Sequence, residues 1–134
     1  MSSHALIDEI IDIELTNSNT GRGHHWGMSA TRRKKYELYL RHAGLDTIKT
    51  LEEPVVVEVT RYLGPRQSKW DSSSGLRGNY KEIEDALVAV GWFHDDGYKW
   101  IVETRFLQNA SNRQSYGRKT RIRALGVLSS DDLQ

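Results

Sequence analysis

With 134 residues, 19 Lys and Arg against 18 Asp and Glu, and no cysteine, the chain suits one domain with a real core; disulfides, thiolate catalysis and cysteine zinc sites are excluded. No apolar run approaches the length of a membrane span. The opening MSSHALIDEIIDIEL is acidic and alternating, without the basic start and apolar centre of a secretion signal, so a cytoplasmic location is expected.

IIDIELT, residues 10–16, alternates Ile11, Ile13 and Leu15 with Asp12, Glu14 and Thr16, the period of a strand with one buried face. NSNTGRGHHWG, residues 17–27, reads as a loop. A helix is expected from a cap at Ser29 or Thr31 through about Ala43, stopped by Gly44, with Tyr36, Tyr39 and Leu40 as its apolar stripe. PVVVEVTRYL, residues 54–63, is a β-branched strand opened by a proline that cannot donate to a ladder.

GPRQSKWDSSSG follows as a long loop, expected to be the least globular part of the chain. A second helix is expected from about Leu76 to Val90, ended by Gly91. Ile83, Leu87 and Val90 form its stripe beside Ala86, with Lys81 and Asp85 together on the other side. HDDG, residues 94–97, is a turn, and KWIVETRFLQ, residues 99–108, is a strand with Trp100, Val102, Thr104 and Phe106 on one face. After a polar loop, RKTRIRALGVL, residues 118–128, sets Thr120, Ile122 and Ala124 against Lys119, Arg121 and Arg123. The order is β-α-β-α-β-β. It describes a single α+β domain over residues 1–134, with a mixed sheet, two helices and a flexible tail from 129.

The near-neutral total hides an uneven distribution. Residues 1–14 hold four acids and no base, and Asp131 and Asp132 close the chain, so the middle carries 19 − 12 = +7. The bases cluster at Arg32-Arg33-Lys34-Lys35 and between Arg113 and Arg123. With four Trp and six Tyr, two such clusters point to a polyanion partner, nucleic acid first. Either cluster alone reads as a solvated helix face or strand edge rather than a binding surface.

Few motifs carry chemistry. His24-His25 lacks a second cluster at ligand spacing and reads as polar loop. GRG and GLRGN lack the spacing of phosphate-binding loops, and the serines at 72–74 show no activating partner. Asp95-Asp96-Gly97 is either a turn or part of a magnesium site, since hard divalent ions use one or two carboxylates with waters and substrate phosphate.

KEIEDALVAVGWFHDD, Lys81 through Asp96, carries K-x-x-x-D-A-L-x-x-x-G-x-x-x-D-D and resembles the helix-and-turn signature of RusA-type Holliday junction resolvases. NSNTGRGHHWG with RRKKYELYLRH resembles the family's Asn/Arg loop and basic helix, PVVVEVTRYLGPRQ its strand and Arg-bearing loop, and KWIVETRFLQ the strand after the acidic turn. The resemblance covers roughly residues 10–127. It implies a RusA-like fold and a homodimeric endonuclease, dependent on Mg2+ or Mn2+, that resolves branched DNA in recombination and repair. On that basis Asp96 is a metal ligand, Asp95 its neighbour, and Lys81 a catalytic group holding the scissile phosphate. Asp85 matches a recurrent helix acid. The expected DNA contacts are Arg22, Arg32, Arg33, Lys34, Lys35, Arg66, Lys69, Arg118, Lys119, Arg121 and Arg123.

One stretch departs from the pattern. The family places acid-x-acid-Asn before the helix, and here those slots fall on Ser72, Ser74 and Gly75, or in a shorter register on Gly75, Arg77 and Gly78. Asp71 lies one position off and becomes the further catalytic and metal-binding acid if the serine run bulges. Three readings follow: a metal-dependent nuclease, a branched-DNA-binding protein of the same fold with impaired catalysis, and a small α+β protein with an unrelated partner.

Overall fold

The structure, a computed structural model, describes residues 5–17, 26–71 and 74–127. The strands are β1 (Ala5–Ile11), β2 (Val55–Tyr62), β3 (Ile101–Asn109) and β4 (Thr120–Gly126). The helices are α1 (Trp26–His42), α2 (Tyr80–Ala89) and the short α3 (Arg113–Tyr116). The strands form one mixed sheet in the order β1-β4-β2-β3, with β2 and β3 parallel and the other pairs antiparallel. The α+β fold with a mixed sheet is therefore as the periodicity implies, with a third helix inside the loop read as polar.

Alternation builds the core. Val55, Val57 and Val59 of β2, Ile122 and Ala124 of β4, and Ile7 and Ile11 of β1 are buried with Leu40 of α1 and Ile83, Ala86 and Leu87 of α2. Each fully buried aliphatic side chain of this kind contributes about 2 kcal/mol. The expected helix stops hold: Gly44 and Gly91 take φ of 77° and 97°, where a Cβ would be strained. Among the described residues no helix is long and apolar enough to cross a membrane.

Several boundaries differ from those expected. The first ladder runs over residues 5–11 rather than 10–16, because β4 begins only at Thr120, opposite Ile11. Ile13 and Leu15 still alternate inward and are buried. Lacking a strand partner, this extension is bonded by side chains: the Thr120 hydroxyl donates to the Ile13 carbonyl at 2.6 Å, and Asn79 holds Glu14 and Thr16. α1 starts at Trp26, upstream of both expected caps, and the Ser29 hydroxyl instead donates to Glu82 on α2 at 2.5 Å. α2 begins at Tyr80 rather than near Leu76, after a separate tight turn at Ser74–Leu76. β4 is shorter than residues 118–128, since Arg118 takes φ of 69° and Lys119 precedes the ladder. His24, His25, Arg22, Ser72, Ser73 and the tail from 129 lie outside the described residues.

The face of the sheet turned away from α1 and α2 carries a row of alternating charge. The registers place Asp8, Arg123, Glu58 and Arg105 in succession across all four strands. Arg121 grips Asp8 through two bonds of 2.7 and 2.6 Å, and Arg123 reaches Glu58 at 3.1 Å. The Arg121 hydrogen bond holds the Asp8 carboxyl below its ordinary value of 3.8. Its contribution to stability is thus present above that value and is lost as pH falls through the lowered one.

Asn79 is 4% exposed and uses its whole side chain. Its amide oxygen accepts from the Thr16 N–H at 2.9 Å, and its amide nitrogen donates to the Glu14 carbonyl and the Tyr36 hydroxyl, each at 2.9 Å. Asn79→Ala is expected to lower unfolding free energy by about 3 kcal/mol in a urea titration, since it strands buried partners. Asp8→Asn is expected to cost less than about 1 kcal/mol at neutral pH, because the pair is partly exposed, and to flatten the fall of Tm below about pH 4. Thermal unfolding across a pH series measures it.

Candidate functional site

β2, α2 and β3 form a parallel strand–helix–strand unit, and the loop at the carboxyl end of β2 leads into the N-terminus of α2. Ligand sites in open α/β sheets gather at such carboxyl ends. The loop here is not soft. Trp70 stacks on Phe106 of β3 with centroids 6.2 Å apart, and the Arg61 guanidinium lies 3.5 Å from the Trp70 ring centroid. Gln108 clamps the loop backbone by accepting from the Trp70 N–H at 2.9 Å and donating to its carbonyl at 3.0 Å. The segment expected to be least globular is pinned to two strands.

Lys81 sits in the first turn of α2, and its ammonium is the meeting point of three carboxylates. It donates to Asp96 of the acidic turn, and lies 3.2 Å from Asp85 and 3.7 Å from Glu84. The hydrogen bond to Asp96 raises the Lys81 pKa above its ordinary value and lowers that of Asp96. Glu84 goes the other way: its burial pushes the carboxyl up. One ammonium and three carboxylates sum to 1 − 3 = −2 when all are ionised. The Tyr80 hydroxyl beside them is buried with no hydrogen-bond partner among the described residues, and burial raises its pKa well above 10.0.

The other expected ligands are placed differently. Asp95 turns back on its own loop, accepting from the Gly97 N–H at 2.6 Å, which is the bend that Asp-Asp-Gly favours. Asp71 is exposed, and its carbonyl accepts from the Ser74 N–H at 3.0 Å at the start of the tight turn. Among the described residues no three His, Asp or Glu side chains gather into a group able to hold a metal ion. The donor set fits a divalent ion only in the sparse manner of magnesium, with Asp96 as the exposed carboxylate and the remaining ligands from water and substrate phosphate.

Packing closes one of the two possible registers for the absent acids. A Cβ at Gly75 would lie 2.0 Å from the Phe106 ring, and one at Gly78 would lie 2.0 Å from the Thr16 carbonyl oxygen. No side chain of any kind fits at either position while these neighbours stay in place. Ser74 is half-buried and meets no such barrier.

The bases divide into two groups. Arg32 turns to Glu82 at 3.4 Å, Arg33 to Glu37 at 3.9 Å, Arg121 to Asp8, and Arg123 to Asp8 and Glu58, so these charges are matched within the fold. Lys34 and Lys35 stand exposed on α1, as do Arg66 and Lys69 on the loop after β2, while Lys119 is half-buried. At the carboxyl end of β2, Arg61, Arg113 and Arg118 come close enough that burial and then the two neighbouring guanidiniums lower the Arg61 pKa, against Glu14.

Arg61 and Asn79 were not singled out in the sequence as site residues. A signal existed for Arg61: it continues the inward alternation of Val55, Val57 and Val59, and a charged residue on a buried face calls for a partner. Asn79 carried none, since Asn before a helix reads as an ordinary cap.

No protein-family model matches the chain, and no curated protein matches it.

Restoring an acid in the two registers is expected to give opposite results. Gly75→Asp should cost about 1–3 kcal/mol or more through overpacking against Phe106, whereas Ser74→Asp should stay within about 1 kcal/mol of the parent. Thermal unfolding of both variants tests this.

Proposed function

We propose that the protein is a magnesium- or manganese-dependent endonuclease acting on branched DNA in recombination and repair, of the RusA resolvase type and homodimeric. The observation that carries this reading is the side-chain contact of Lys81 with Asp96, fifteen residues apart in the chain and matched to the family pattern at both positions. The start of α2 that carries Lys81 is linked to the basic corner through Asn79, which bonds the Glu14 main chain, and the Glu14 carboxylate, which meets Arg118.

In this reading Asp96 holds the divalent ion together with water and phosphate oxygens, and Asp71 and Asp95 are secondary candidates. A bound ion supplies an activated water and charge neutralisation at the leaving oxygen. Lys81 leaves Glu84 and Asp85 to hold the scissile phosphate, its ammonium being charged across the physiological range as an ordinary lysine is. Two cuts placed symmetrically across a junction call for two sites related by a two-fold axis, which a homodimer provides. Arg66, Lys69, Arg118 and the exposed lysines of α1 contact the backbone without reading sequence.

A second reading, binding to branched DNA without cleavage, is favoured by the absence of a three-ligand group among the described residues and by the closed position at Gly75. A synthetic four-way junction titrated with magnesium or manganese separates the two. Cleavage that falls about a hundredfold or more in Asp96→Asn, with binding retained, supports the nuclease. Tight junction binding with no cleavage at any metal concentration establishes the second reading. Ser72→Asp and Ser74→Asp are expected to raise activity if the longer register is the relevant one. Failure to bind DNA at low salt overturns both readings.

A further inference from the structure

The basic corner at the carboxyl end of β2 is charged beyond what the fold neutralises. Arg61 is 4% exposed, and its guanidinium donates to the Ser68 carbonyl and to Gln108. Arg113, from α3, donates to the carbonyls of Gly64 and Gln67, both at 2.7 Å, and so fixes the same loop from the other side. Arg118 completes the trio. Among the described residues one carboxylate stands against it: Glu14, 3.1 Å from Arg118 and 3.2 Å from the Gln67 amide. Both members of that ion pair are largely exposed, at 55% and 44%.

The backbone adds an independent observation. Among the described residues, Arg66 and Arg118 alone outside glycine have positive φ, each 69°. Both belong to this corner. A long side chain in the left-handed region is held there by its surroundings, and such conformations concentrate where ligands bind. Glu14 itself is set by its main chain, which Asn79 ties to the start of α2, so its carboxylate can leave Arg118 by side-chain rotation alone.

We infer that the corner formed by Arg118, Arg113, Gln67 and the Gly64–Lys69 loop is a binding site for a nucleic-acid backbone phosphate, and that Glu14 occupies it as an internal stand-in. A carboxylate between a guanidinium and an amide donor presents the charge and the acceptor oxygens that a phosphodiester presents. An arriving phosphate displaces Glu14, takes its place against Arg118 and Gln67, and gains the field of Arg61 and Arg113. The pair that is broken is a surface pair, so the barrier is low. Glu14 thereby works against weak, non-specific anions, and this assignment of the ligand rests on the DNA-binding reading above.

The test uses the full chain and two probes, inorganic pyrophosphate followed by thermal unfolding and a labelled four-way junction followed by fluorescence anisotropy over a salt series. Glu14→Gln is expected to bind the junction about two- to fivefold more tightly, with a steeper dependence on salt. Arg118→Ala is expected to bind it more weakly and to reduce the slope of log K against log salt by about 0.9. Pyrophosphate should raise the Tm of the parent and of Glu14→Gln, and raise that of Arg118→Ala less. A purely structural role for Glu14 predicts unchanged or weaker binding in Glu14→Gln, and that result overturns the inference, as does an equal pyrophosphate effect in all three proteins. Protection by pyrophosphate through Arg118 without any junction binding keeps the phosphate site and removes DNA as its ligand.

Discussion

One buried amide sets the relation between the parts. Asn79 faces Thr16 with an acceptor and faces Glu14 and Tyr36 with donors, while its own N–H bonds the Thr16 hydroxyl at 3.1 Å. Three segments therefore meet at one residue: the ladderless continuation of β1, the middle of α1 and the start of α2. The chemistry requires asparagine, because aspartate has the same outline but offers no donors to the carbonyl and the phenol. Gly78 makes the approach possible, since its missing side chain leaves room for the Thr16 carbonyl. Once this junction is fixed, Lys81 two residues on and Glu14 on the continuation of β1 are fixed with it, and both candidate sites inherit their positions.

Charge is organised by the same geometry. The acidic start of the chain is counter-charge for the last strand: Asp8 lies in register with Arg123 and grips Arg121, and Glu58 completes the row from β2. Arg121 and Arg123, two bases of the last cluster, are neutralised inside the sheet in this way. In the loop after β2 and around α3, Glu14 is the carboxylate that faces Arg61, Arg113 and Arg118 among the described residues. Cations assigned to DNA from clustering alone thus fall into two physical classes, those matched by a carboxylate of the fold and those left facing solvent. The division could not be read from the linear order, because Asp8 and Arg121 are 113 residues apart.

What the sequence made legible was periodic or conformational. Alternation in PVVVEVTRYL and RKTRIRALGVL located two strands and their buried faces, and glycine at 44 and 91 located two helix ends. Alternation also foresaw burial of Ile13 and Leu15, yet misplaced the ladder, since side-chain period reports a buried face and not a strand partner. The start of α2 was missed for a related reason. Leu76 continues the helical stripe in sequence, but Gly75 and Gly78 are pressed against Phe106 and Thr16, and the chain turns tightly there before the helix begins. Of the candidate site, the Lys81–Asp96 spacing was readable because it joins a helix to the turn that follows it. The Arg61–Trp70–Phe106 stack was not, because it joins three elements through tertiary contact.

The packing at Gly75 constrains how the site could ever hold more acids. A loop that presents carboxylates to a metal must turn side chains outward from β3, whereas this loop lays Trp70 and Gly75 on the Phe106 ring and uses Gln108 to keep them there. The tryptophan anchor and an acid at 75 exclude each other. The stack therefore closes position 75 to any side chain, while Ser74 beside it stays open to one. Asn79 ties the start of α2 to the Glu14 main chain and the Glu14 carboxylate meets Arg118, so the first turn of α2 and the basic corner share one hydrogen-bonded junction.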